Sequence, residues 1–174
     1  MAAPGDAPRQ PTIVMMTDMA RSTELIQRLG DREAREVMHA HNRLVRACLR
    51  ENGATELQHT GDGFMASHTS ATRAVACAIA IQQAVATHNR ETDQPRMLVR
   101  VALTAGEPLR EEDRLFGAAV NAAARLCSHA RPGEILVLDV VRQLAAGTAN
   151  EFIDRGQLTF KGFEEPFHLH EVRW

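Results

Sequence analysis

Residues 54–68 read ATELQHTGDGFMASH. Two extended stretches, Ala54–Thr60 and Phe64–His68, flank Gly61, Asp62 and Gly63, and an Asp-Gly pair between β-favouring runs is a strong local hairpin signal. The turn puts a carboxylate, Asp62, at its tip. On the N-terminal side, Asn52 and Gly53 stop a helix that begins at Asp31. In it Ala34, Val37, Met38, His41, Leu44, Val45 and Cys48 recur at spacings of three and four. A shorter helix, capped by Ser22 and Thr23, runs to Gly30. Before it, Ile13–Met16 is a continuous apolar run ending in Thr17 and Asp18, the pattern of a strand buried on both faces.

On the C-terminal side, Ala71, Val75, Ala78, Ile79 and Val85 mark a third helix. Met97–Thr104 then alternates, with Val99, Val101 and Leu103 on one face. A charged loop, 106–114, leads to a fourth helix whose stripe is Phe116, Val120, Ala123, Cys127 and Ala130, ended by Pro132 and Gly133. A strand at Glu134–Leu138, a short helix at Val140–Ala146 and a closing hairpin of Phe152–Phe160 with Phe167–Val172 complete the chain. Alternating strands and helices predict an α/β (α+β) sandwich, one sheet with helices on one face.

The 174 residues suit one domain, read as 11–174 after a flexible tail at 1–10. With 20 basic and 22 acidic residues the formal net charge is -2, so no global field draws nucleic acid or an anionic membrane, and any anion must be bound by local groups. No apolar run is long enough to span a bilayer, and the first ten residues lack a secretory pattern. Cys48, Cys77 and Cys127 are scattered without a paired motif. They read as buried free thiols of a reducing, cytoplasmic protein.

Asp18 at a strand end and Asp62 at a hairpin tip meet if their strands are neighbours, and two such carboxylates make a hard-oxygen Mg²⁺ site. The plainer reading leaves Asp62 shaping a turn and Asp18 capping a helix. Asn121 and Arg125 stand at i and i+4, on one helix face away from the apolar stripe, where a solvated surface is the plainer role. His168 and His170 share a face of a terminal strand and read as an exposed edge, while His41 falls in an apolar stripe and reads as a satisfied core histidine. No G-x-S-x-G elbow and no P-loop is present.

Five segments occur together. They are Thr17-Asp18-Met19 with Ser22-Thr23; Thr60–Ala66; Phe116–Leu126; Pro132–Ile135; and Lys161-Gly162-Phe163 followed by Pro166. In this order they resemble the class III adenylyl/guanylyl cyclase catalytic domain along nearly the whole chain, from Thr12 to Trp174. The resemblance implies a ferredoxin-like or palm-like sheet and a cyclase forming a 3′,5′-cyclic monophosphate, with ATP as the favoured substrate. It also implies two Mg²⁺ or Mn²⁺ ions per site at Asp18, Met19 and Asp62. Ser22, Thr23 and Lys161 would face the phosphates, Asn121 would orient the ribose, and Arg125 would stabilise charge on the α-phosphate. It implies a homodimer in which Asp18 and Asp62 come from one subunit and Asn121 and Arg125 from its partner.

Three positions depart from the family. Where adenine-specific members usually carry a lysine and an aspartate to read the base, this chain has Gln58 and Arg114. Arg114 offers donors only, which suits a base carbonyl, as in guanine or uracil; Asp113, one residue earlier, is an alternative acceptor. Arg21 stands where the phosphate loop usually has glycine, and it either adds a phosphate contact or obstructs the loop. The alternatives are a cyclase of guanine, pyrimidine or relaxed preference, or a catalytically silent nucleotide-binding dimerisation module.

Overall fold

The computed structural model describes residues 11–111 and 114–174; the expected tail at 1–10 and Asp113 lie outside the described residues. The strands are β1 (Thr12–Met19), β2 (Thr55–His59), β3 (Gly63–His68), β4 (Val99–Gly106), β5 (Leu109–Glu111), β6 (Arg114–Phe116), β7 (Ile135–Leu138), β8 (Phe152–Leu158) and β9 (Phe167–Val172). The helices are α1 (Ser22–Leu29), α2 (Asp31–Glu51), α3 (Ala71–Glu91), α4 (Ala118–His129) and α5 (Asp139–Leu144). Seven of the described strands form one sheet in the order β2-β3-β1-β4-β7-β9-β8. Neighbours run antiparallel except β4 and β7, whose parallel pairing is connected through the β5–β6 hairpin and α4.

β1 sits inside the sheet, paired to β3 on one side and β4 on the other, and this explains its unbroken apolar run. Ile13, Met15 and Met19 point into the main core with Val99, Val101 and Leu103 of β4. That core is closed by α2 through Val37, Ala40, Val45 and Cys48, and by α3 through Ala74, Val75, Cys77, Ala78 and Ile81. Burying side chains of this size contributes roughly 1.5–3 kcal/mol each for the larger ones. The small Ala and Cys positions on α3 let it lie close to α2.

The expected α/β sheet is present, with one helix placed differently from the expected single layer. α4 lies across the opposite face, where Ala122, Leu126 and Cys127 pack on Ala102, Leu136 and Leu138, and Ala123 packs with Val14. Gly106 permits this approach, because a Cβ there would stand 2.8 Å from Ala119 Cβ. The Thr104 hydroxyl donates to Ala119 O at 2.8 Å and pins the start of α4 to β4.

Two further expectations change. The charged loop holds a short hairpin, β5–β6, and Phe116 belongs to β6 and is exposed instead of opening the buried stripe of α4. His168 and His170 lie on β9, which is covered by β8, so they are not on the edge of the sheet. His170 is buried and bonds Asp139, while His168 bonds Asp154. The three cysteines are free and buried, as expected; burial pushes the Cys77 and Cys127 thiols up to about 12.

Candidate functional site

The site grows out of the β1–β3 pairing. Register places Asp18 opposite Gly63, so Asp62 follows the end of the ladder directly, and Met19 N donates to Asp62 O at 2.8 Å. Gly63 is required for this closeness: a Cβ would meet Thr17 O at 2.5 Å. Gly61, at φ 97°, turns the tip in a region that other residues rarely adopt. The hairpin chemistry read from residues 60–63 therefore delivers Asp62 to Asp18 across two strands distant in sequence.

Each carboxylate has a partner. Ser22, at the first turn of α1, donates from its hydroxyl to Asp62 Oδ2 at 2.7 Å. Arg100 on β4 lies opposite Asp18 in register, and its Nη2 reaches Asp18 Oδ2 at 2.6 Å. Burial pushes the Asp18 carboxyl above its ordinary value; the Arg100 guanidinium pulls it back and the Asp62 charge pushes it further up. Two carboxylates close enough to repel, at the half-buried end of a sheet, form a place where added positive charge is favourable.

Arg100 was not among the residues anticipated from sequence. Its signal was present: with Val99, Val101 and Leu103 facing one core, Arg100 must face the other side of a central strand, where Asp18 and α4 lie. An uncompensated cation there demands an acidic neighbour.

Met19 has its side chain buried at 2% exposure, so its contribution to a cation is limited to main-chain oxygen. Thr23 is exposed beside Ser22. Asn121 and Arg125 are exposed on the outer face of α4, while Ala122, Ala123, Leu126 and Cys127 hold the inner face. Among the described residues neither side chain has an ion pair or hydrogen bond, and neither meets Asp18 or Asp62 within the chain. Lys161 is exposed in the turn between β8 and β9, and Gln58 is exposed on the outermost strand β2. Arg114 begins β6, and its side chain lies outside the described residues. One chain thus assembles Asp18, Asp62, Ser22 and the Met19 backbone, and leaves Asn121, Arg125, Lys161 and Gln58 apart.

His41 is buried on the other side of the hairpin, near Phe64. Its Nδ1 pairs with Asn42 Oδ1 at 2.9 Å, but Nε2 has no partner among the described residues, so the expected satisfied histidine is half satisfied. Burial lowers its pKa.

Comparison with known proteins gives one consistent answer. The family model of the adenylate and guanylate cyclase catalytic domain matches residues 6–171. A Rhizobium meliloti (strain 1021) protein, whose name marks it as a candidate adenylate cyclase 3, is 38% identical over 114 residues, 64% of this chain and 19% of that protein. The chain thus spans about a fifth of the length of this relative. Among solved structures, the adenylate/guanylate cyclase/hydrolase from Silicibacter pomeroyi is 28% identical with a TM-score of 0.79, over 95% of this chain and 98% of that one. The adenylyl cyclase CyaB from P. aeruginosa shares the fold at a TM-score of 0.82 and 22% identity, over 94% of each chain. With its β1–β3 carboxylate pair and a family match over nearly its full length, this chain belongs to the class III adenylate and guanylate cyclase catalytic domain family.

Proposed function

We propose that this chain is an active nucleotidyl cyclase that converts ATP to 3′,5′-cyclic AMP and pyrophosphate as a cytoplasmic homodimer. The observation that carries the reading is the convergence of Asp18 and Asp62 at the β1–β3 junction, with Asn121 and Arg125 presented to solvent on α4.

The residues present fit the pair of divalent cations on which the family generally depends. Among the described residues no group of three or more His, Cys, Asp or Glu gathers, and two hard carboxylates remain. This composition matches Mg²⁺, which keeps several waters and takes its other oxygens from substrate phosphates and main chain. When bound, such ions activate the ribose 3′ oxygen and neutralise phosphate charge. Asp18 and Asp62 hold the carboxylate side of that site. Ser22 and Thr23, at the start of α1, hold phosphate oxygens with the uncapped N–H groups of the helix. Lys161 adds a point charge on the leaving phosphates.

As the 3′ oxygen forms its bond to the α-phosphorus and the bond to pyrophosphate breaks, charge builds on the phosphoryl oxygens. Arg125 of the partner subunit stabilises that charge and Asn121 of the partner subunit holds the ribose. The exposure of both on a helix face away from their own chain's carboxylates supports this division. Among the described residues no helix is long and apolar enough to cross a membrane.

A second reading, a cyclase with guanine, pyrimidine or relaxed preference, is favoured by Gln58 and Arg114 in the base-reading positions. One experiment separates them: incubation with each of the four nucleoside triphosphates and Mn²⁺ or Mg²⁺, with products identified by mass. Cyclic AMP as the dominant product supports the proposal. Cyclic GMP or a mixture moves it to the second reading, and no cyclic product from any triphosphate leaves a silent nucleotide-binding module.

A further inference from the structure

Beside the Ser22–Asp62 contact, the same β1–α1 loop walls a cavity of about 350 Å³. Its apolar lining includes Met19, Leu25 and Met97, all buried, and its charged lining is Arg21, Arg28, Arg96 and Glu24. Arg21 approaches Glu24 only at 4.0 Å, with both side chains about 70% exposed. Neither Arg28 nor Arg96 has an acidic partner among the described residues. Three cations and one carboxylate therefore share a concave surface over a low-dielectric floor, an arrangement that concentrates field lines and attracts anions.

Arg21 adds a second observation. It holds φ 60° and ψ 31°, the left-handed region, and it is the one non-glycine residue with positive φ among those described. That conformation is strained for a residue with a Cβ. Glycine would adopt it freely, yet the chain carries an arginine there, on the lining of a cavity that Arg28 and Arg96 also line.

We propose that this cavity is an oligophosphate site, separate from the carboxylate pair, that takes inorganic pyrophosphate. Planar guanidinium forks recognise phosphoryl oxygens in paired hydrogen bonds, and two linked phosphoryl groups use three such forks better than one does. The proposal rests on the cyclase reading only for the source of its ligand: the reaction releases pyrophosphate at the loop that forms the cavity wall. Binding there gives the product a resting place outside the reacting centre.

The test is calorimetric titration of the Asp62→Ala protein with inorganic pyrophosphate in EDTA, which removes turnover and metal bridging together. Saturable binding of one pyrophosphate per chain is expected, weakened about tenfold by Arg28→Gln and about tenfold by Arg96→Gln. Orthophosphate should bind at least about tenfold more weakly. Arg21→Gly should also weaken pyrophosphate while leaving the melting temperature equal or higher, because it removes the charge and relieves the backbone together. Absent binding, affinity unchanged in the Arg28→Gln/Arg96→Gln double variant, or equal affinity for orthophosphate overturns the proposal. Failure of the cyclase reading shows separately, as absence of any cyclic product, and leaves this titration readable.

Discussion

Around Asp18 and Asp62 both carboxylates find partners within the chain: Arg100 on Asp18, Ser22 on Asp62, with Met19 N on Asp62 O. Along the outer face of α4, Asn121 and Arg125 find none among the described residues, although the inner face of the same helix is packed tightly against β4 and β1. The first region is organised by one chain's own sheet. The second is a rigid display, its backbone held by Thr104 and by the close approach at Gly106, its two proposed site side chains exposed. A rigid element that presents unpaired polar side chains costs nothing in desolvation until a partner covers it, and then supplies its hydrogen bonds without reorganisation.

The largest expected effect breaks the first region. Asp18→Ala or Asp62→Ala should lower cyclase turnover on the order of 10³-fold or more, because each removes a charged oxygen ligand from the proposed cation site. Circular dichroism and gel filtration should be unchanged, and retained turnover in either variant sinks the metal assignment. Losing Asp18 also strands Arg100, so Asp18→Ala should be the less stable of the two in urea titrations.

Mixing the two regions sharpens the comparison. Chains carrying Asp62→Ala and chains carrying Arg125→Ala should each be inactive, and their mixture should recover about a quarter of wild-type activity under random exchange. Half of the dimers are mixed, and in each one site collects both defects while the other collects none. No recovery, with exchange verified by labelled chains, means that each chain completes its own site.

A smaller effect is expected at Gln58 and Arg114, the proposed base-reading positions. Gln58→Lys with Arg114→Asp should raise the ATP:GTP ratio of kcat/KM by roughly 5- to 150-fold, the worth of a well-placed base contact. A ratio that stays within about twofold removes Arg114 from base reading.

The smallest effect lies on β3, at the end of the β1–β3 ladder away from the carboxylates. His68 is 3% exposed and neither ring nitrogen has a partner among the described residues; burial first, and then the Arg73 charge, hold its pKa at about 4. The unfolded histidine titrates near its ordinary 6.5, so below that pH the unfolded chain takes up the proton first. Stability from this group is complete above pH 6.5 and lost as pH falls toward 4, about 2 kcal/mol between pH 7 and 5. Urea unfolding at those two pH values should show that loss in the wild type, and correspondingly less of it in His68→Leu. Equal pH dependence in both proteins rules His68 out as its origin.

Element types and the order of the chain were legible because they rest on local chemistry. The Gly-Asp-Gly turn, the period of α2 and α3, and the unbroken run of β1 each declare themselves within a dozen residues. The β5–β6 hairpin escaped because its strands are three residues long and charged, with no alternation to read. Phe116 was drawn into the α4 stripe because apolar spacing alone does not mark where a helix starts; Gly117, at φ 123°, does.

By itself the sequence supplied the candidates for the proposed chemistry: carboxylates at a strand end and a hairpin tip, and an Asn–Arg pair one helical turn apart. Tertiary structure decided which of them meet. Pairing of β1 with both β3 and β4 is a long-range choice of register, and it alone sets Asp62 and Arg100 beside Asp18. The face of the sheet taken by α4 is likewise a packing decision, settled by Gly106 and by the alanines that fill Ala102's side of the core. Periodicity reports which side of a helix is apolar, but not which of two apolar surfaces will cover it.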